Sequence, residues 1–295
     1  MMFALAALWA LLGSTSDARG PGHPGAAIPL YDLSAPCDDR RYPQLAGPWV
    51  VGCGPGGVVD RALSLETGVL HHLPSPATAP ALDDGQVYLP GADGGRLRLT
   101  PTAVHRDETG VRLRDPLAAP PALRDDAIVV LAEDAVLVAR VGDPLRRRYP
   151  SSPQGWYPPA IAGDRVAWIE AGERLWWMTL DKGHPEAMPV AGPNARHVVA
   201  SGPYLSWVEP DRLVQMDVRT ADVQVFPVRT GFSAPPSAWG AVLCWEQWGE
   251  VDLDVRCSDG LQVQRPGHQQ WPSRWEKWLL FREAGIVWLM TAPGS

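Results

Sequence analysis

The residues with chemistry to offer in this chain are seven histidines, the acidic pairs that stand just before apolar runs, four cysteines and fourteen tryptophans. The histidines stand at positions 23, 71, 72, 105, 184, 197 and 268. His71 and His72 are adjacent, and neighbouring side chains on a strand point to opposite faces, so the two do not hold one metal. Asp83-Asp84 and Asp125-Asp126 each precede an apolar run, where turn formation accounts for them better than acid–base catalysis. There is no Gly-x-Ser-x-Gly elbow, no HExxH and no Walker loop. The sequence thus assigns no catalytic residue, no metal site and no cofactor.

The cysteines are Cys37, Cys53, Cys244 and Cys257. No CxxC occurs, and no histidine lies at zinc-finger spacing, which argues against structural zinc. An even count fits disulfides in an oxidising compartment. Cys244 and Cys257 sit on two strands joined by a turn near Gln247-Trp248-Gly249-Glu250. Cys37 and Cys53 flank an apolar strand. Local pairing, Cys37–Cys53 and Cys244–Cys257, is the expectation, against four buried free thiols.

Residues 3–13 form the longest apolar stretch, too short to span a bilayer. Their length suits the core of a signal peptide, and Ser16-Asp17-Ala18 offers small residues for cleavage, although no Lys or Arg precedes the run. The organisation expected is a signal peptide over 1–18, a short leader over 19–27 and one domain over 28–295. The mature protein is expected to be periplasmic or extracellular, with no transmembrane segment. A net charge of −7 disfavours nucleic acid as a partner. Hydrophobic content of 45% with 20% charged residues fits a packed globular protein rather than disorder.

The element that must position these residues is a repeat. Seven short apolar cores recur, centred on Val50, Val87, Val129, Val166, Leu205, Leu243 and Leu279, at intervals of 36 to 42 residues. A period of about 40 residues built from short strands is the signature of a propeller blade. The strand after each core alternates clearly in several copies. Val251, Leu253 and Val255 face one way, and Asp252, Asp254 and Arg256 the other. Gly and Pro punctuate the gaps as turn residues. The seventh unit lacks room for its last strand, and residues 27–33 before the first unit are unassigned. They read as the missing strand, closing a ring. The fold expected is all-β: a single seven-bladed β-propeller, with six blades as the alternative.

The units resemble the TolB-like, WD40-like class of β-propeller repeat. The likeness rests on Gly163-Asp164-Arg165-Val166-Ala167-Trp168, on the turn before Val87, and on Ala62-Leu63-Ser64-Leu65-Glu66-Thr67-Gly68-Val69-Leu70. The Gly-His and Trp-Asp marks of WD40 blades are missing. The resemblance implies an exported scaffold for protein contacts, with a few lyases in the same class.

Trp168, Trp207 and Trp245 share one repeat position, with Phe281 as the fourth aromatic, and read as core between blades. Trp156, Trp239, Trp248, Trp271 and Trp275 fall off the repeat. Trp271 and Trp275 are the candidate ligand-binding residues, able to stack on a sugar ring or anchor a partner. The function expected is a monomeric, non-catalytic scaffold that binds a protein or envelope component. The alternatives are a propeller-type polysaccharide lyase or hydrolase and a lectin-like glycan-binding module.

Overall fold

The computed structural model describes residues 27–292, apart from 38–42, 55, 74–80, 84–85, 91–95, 101–102, 108–121, 125–126, 133, 141–146, 154–156, 172–173, 181–183 and 230–233. The expected signal peptide and leader thus lie outside the described residues, except for Ala27. Short apolar runs separated by turn residues form strands throughout. The described helical structure is one 3-10 turn at Tyr31–Leu33. Among the described residues no helix is long and apolar enough to cross a membrane.

The described strands assemble into seven four-stranded antiparallel sheets. Six are local meanders. The fifth, for example, runs Arg196–Ser201, Tyr204–Glu209, Arg212–Asp217 and Val223–Pro227 in spatial order. Each predicted apolar core is the second strand of its sheet. That strand is flanked on both sides within its sheet and, wherever its side chains are described, largely buried on both faces, so it reads as a continuous apolar run.

The first strands of successive sheets approach one another. Ala81–Asp83 meets Ala122–Arg124, which meets Ala160–Ala162, and so on through Arg196–Ser201, Ser237–Trp239 and Gln269–Trp275. Gln269–Trp275 in turn contacts Gln44–Ala46, the first strand of the first sheet. Apolar clusters lie between neighbouring sheets. One joins Trp168 and Val166 to Val129 and Leu131, and another joins Trp207 and Leu205 to Ile169 and Leu175. The four aromatics at the shared repeat position, Trp168, Trp207, Trp245 and Phe281, are all buried.

The seventh sheet draws on both ends of the chain. Ile28–Pro29 pairs with Ile286–Thr291, placing Ile28 opposite Leu289 and Pro29 opposite Trp288. The strand is shorter than the 27–33 expected. After Leu30 the chain turns into the 3-10 turn, and the Ser34 hydroxyl donates to the Leu30 carbonyl at 2.8 Å. Leu33 is then packed against Gly52, where an added Cβ would sit 3.1 Å from Leu33 Cδ2. Glycine at this position therefore permits the close approach.

Two disulfides are present, Cys37–Cys53 and Cys244–Cys257. Cys244 lies directly opposite Cys257 in the sixth sheet. Ser258 N donates to the Leu243 carbonyl at 2.7 Å. By antiparallel alternation, Cys244 and Cys257 form a non-hydrogen-bonded pair, in which the backbones approach most closely. Their Cα atoms are 4.0 Å apart. Cys37–Cys53 instead ties the segment after Ile28–Pro29 to the first sheet. Replacing Cys37 and Cys53 together by Ser is expected to lower unfolding free energy by about 2–4 kcal/mol. Denaturant titration at constant slope checks this, and an unchanged midpoint would show that the bridge adds nothing.

Candidate functional site

Trp271 and Trp275 both lie on Gln269–Trp275, the first strand of the seventh sheet. Its register against Trp278–Glu283 slips between Gln270 and Ser273, which marks a β-bulge. Trp271 takes φ +58 inside that bulge. Pro272 follows and has no N–H to give the ladder. The Trp271 amide also leaves the ladder and donates to Glu246 Oε1 of the sixth sheet at 2.8 Å. Glu246 is only 2% exposed, so its carboxylate anchors the bulge from within the interior. A non-glycine residue in the left-handed region is strained by about 1–3 kcal/mol and persists where its surroundings fix it.

The bulge recurs in the fifth sheet. There Arg196–Ser201 slips register between Arg196 and Val199, and His197 takes φ +49. His197 and Trp271 are thus equivalent positions with different surroundings. The His197 ring meets Tyr157 edge-on, with centroids 4.9 Å apart. Trp271 instead lines a cavity of about 340 Å³ with Pro36, Cys37, Gln270, Arg282 and the Ala284-Gly285 turn. Both turn residues have positive φ, the geometry of a tight hairpin. The site therefore brings half-buried Trp271 and Arg282 together between a disulfide-tied segment and a tight turn. Such a pair suits an aromatic, aliphatic or carboxylate-bearing group.

Trp275 has different surroundings. It packs against the cluster of Leu30, Leu33, Leu45 and Leu280, and its ring meets Trp239 edge-on at 5.9 Å. The bulge between the two tryptophans breaks the simple alternation that would otherwise put them on one face. Trp248 is 40% exposed, beside His268 at 5.5 Å. Trp156 lies outside the described residues.

The remaining candidates are dispersed. The His71 ring packs on Trp49, and His268 Nδ1 accepts from the Leu253 amide at 3.1 Å. His184 is exposed. His105 lies on Ala103–Asp107 in the second sheet, and His23 is outside the described residues. Asp83 ends a strand opposite Gln86, a turn position, while Asp84, Asp125 and Asp126 lie outside the described residues. Among the described residues no three of His, Cys, Asp and Glu gather as a metal site. A second cavity of about 580 Å³ is lined by Glu250, Asp252 and Asp254 together with Arg229, Arg256 and Arg265. That balanced set does not select the sign of a ligand.

A polar motif escaped the sequence reading. Two residues beyond each repeat aromatic stands Glu170, Glu209, Gln247 or Glu283. Residues two apart on a strand share a face. Glu209 accepts from Trp207 Nε1 at 2.8 Å, the Gly192 amide at 2.8 Å and Arg212 Nε at 2.6 Å. Burial alone would raise its pKa, but these donors together hold it below the usual carboxylate range. Glu170 accepts from Ser151 Oγ at 2.8 Å, and Ser151 Oγ in turn accepts from Trp168 Nε1 at 3.0 Å. Gln247 accepts from Trp245 Nε1 at 3.1 Å, and Glu283 pairs with Arg265 at 3.0 Å. Gly192, Ser151 and Arg265 each lie on the segment that crosses from one sheet to the next. The aromatic-x-Glu/Gln spacing in four consecutive units was the available signal.

No family model matches the sequence, and no curated protein matches it either. Solved structures do match. The Cps50 (Swd1) β-propeller domain of Myceliophteria thermophila is 14% identical with a TM-score of 0.57, over 92% of this chain and 99% of that one. A catalytically inactive virginiamycin B lyase from Staphylococcus aureus, solved with quinupristin, is 14% identical with a TM-score of 0.56, over 90% and 98%. BamB from Moraxella catarrhalis is 13% identical with a TM-score of 0.51, over 92% and 99%. The fold is that of a β-propeller. At such identities the likeness concerns fold alone, and the TolB-like label is not singled out.

Burial, and secondarily the charge of Arg196, lowers the His197 pKa from 6.5 to about 4. His197 is then neutral in the folded state where the unfolded chain already binds a proton. Stability is full above pH 6.5 and falls as pH drops towards 4, by at most about 3 kcal/mol from this group. Replacing His197 by Gln is expected to flatten that part of the pH–stability curve, measured by denaturant titration. An identical curve would contradict the assignment.

Proposed function

We propose that this chain is an exported, non-catalytic β-propeller scaffold that binds a protein or cell-envelope component. In this reading the seven sheets are seven blades of one domain over 28–295, in a ring closed by the N-terminal strand. Export is supported by the two disulfides, which persist in oxidising compartments. The observation that carries the reading is Trp271. Its strained backbone is held by buried Glu246, and the residue lines a cavity beside the Cys37–Cys53 bridge. Strain of this kind concentrates where a side chain must be presented in one fixed pose. A partner inserts an aliphatic, aromatic or carboxylate-bearing side chain between Trp271 and Arg282. Tryptophan and arginine are the residue types that most often dominate binding energy at such anchors.

The test is capture of partners from an envelope fraction with the full chain, quantified by mass spectrometry. Replacing Trp271 by Ala is expected to reduce the specific partner at least tenfold while the thermal melt stays close to that of the parent. Replacing Trp275 by Ala is expected to lower stability by roughly 3 kcal/mol, the cost of emptying an apolar site. A captured set unchanged by loss of both Trp271 and Arg282 would remove the cavity from the account.

A further inference from the structure

Each sheet ends on an outer strand, and an outer strand presents unpaired backbone groups that invite another chain. Six of the seven outer strands are either short or carry charged residues. Ile28–Pro29, Glu186–Ala187 and Gln262–Val263 have two residues each, and Leu70–His72 has three. Ala103–Asp107 contains His105, Arg106 and Asp107. Arg147–Pro150 exposes Arg147 and Arg148. The exception is Val223–Pro227, five residues long and without a charge. Val223 is 41% exposed and Val225 52%. Among the described residues no strand pairs with its outer side.

The ladder fixes which backbone groups face outward. Asp217 N donates to the Asp222 carbonyl at 3.0 Å, and Val228 N to the Asp211 carbonyl at 3.0 Å. Alternation then turns the N–H and C=O groups of Gln224 and Phe226 inward, towards Arg212–Asp217. Those of Val223 and Val225 point outward. Pro227 also faces outward but has no N–H, so it ends the pairing edge on that side.

We infer that Val223–Pro227 is a self-association edge, pairing antiparallel with the same strand of a second copy about a two-fold axis at Gln224. In that register Val223 lies opposite Val225 of the second copy, and Val225 opposite its Val223. The four outward N–H groups, and the four C=O groups of Val223 and Val225, are satisfied across the axis. The side chains are self-complementary as well. Valine faces valine on one side of the ribbon, and the two exposed Gln224 amides face each other on the other. No charge on the strand opposes the pairing, and a two-fold contact of this type closes on itself as a dimer. With only two residues per copy in the ladder, the dimer is weak and concentration-dependent. The monomer expected from the sequence is then its dissociated form.

The test is site-specific cross-linking of the full chain. All four cysteines are held in the two disulfides, so an introduced cysteine is the single thiol. Gln224 meets Gln224 at a non-hydrogen-bonded position, where Cα atoms lie about 4.5 Å apart, within reach of a disulfide. Under mild oxidation Gln224→Cys is expected to form covalent dimer at least tenfold faster than Val251→Cys, a control at an 85% exposed hairpin site. Adding Val225→Lys to Gln224→Cys is expected to return the rate to the control level with an unchanged melting curve. Equal rates for Gln224→Cys and Val251→Cys would overturn the proposal. So would cross-linking that survives Val225→Lys, or faster cross-linking through Val225→Cys.

Discussion

The seventh sheet of this molecule is completed by the first described strand, Ile28–Pro29, and that pairing is the constraint on which the other sheets depend. Only Ile28 and Pro29 pair as strand with Ile286–Thr291. The Leu30 amide adds a bond to the Val287 carbonyl at 2.8 Å, and the Val287 amide returns one to Ser34 Oγ at 3.0 Å. Joining the two ends closes a loop of nearly the whole chain, which costs entropy before any contact repays it. Few backbone bonds meet that cost, so side chains and a covalent bridge must contribute. Leu30 and Leu33 bury against Leu45, Val50, Leu280 and Leu289, and Cys37–Cys53 secures the segment that follows.

Once the first and last sheets are joined, the fourth to seventh sheets repeat one solution at their joints. An aromatic from the second strand fills the space between sheets, and a Glu or Gln two residues on supplies polar contacts nearby. A buried indole N–H without an acceptor would lose the hydrogen bond it makes in water. In the fourth to sixth sheets that acceptor is Ser151, itself held by Glu170, then Glu209, then Gln247. Glu170 and Glu209 also accept backbone amides from the segment arriving from the previous sheet. Apolar packing and polar anchoring of the crossing are therefore supplied from one face of one strand.

Much of the architecture was legible in the sequence because the repeat is local. A core strand every 36 to 42 residues, and an aromatic two residues past its centre, can be read without knowing any contact between sheets. The N-terminal segment was legible only as a remainder, and its 3-10 turn was not, since that turn depends on Ser34 reaching back to Leu30. The candidate site was half legible. Trp271 and Trp275 stand out in the sequence because they fall off the repeat, but the bulge between them separates their surroundings. That bulge is fixed by Glu246 of another sheet, which no local pattern reports. The acidic residues beyond the aromatics carried a readable period, yet their role exists only where two sheets meet.

Amide hydrogen exchange at Leu30 and Val287, compared with the ladder amides of Tyr204–Glu209, tests the dependence on the shared sheet most directly. If both ends belong to one cooperative unit, Leu30 and Val287 exchange only through global opening, with the same free energy as the fifth sheet. If Leu30 and Val287 exchange rapidly by local fraying while Tyr204–Glu209 stays protected, the joined ends are a peripheral contact and the account is wrong.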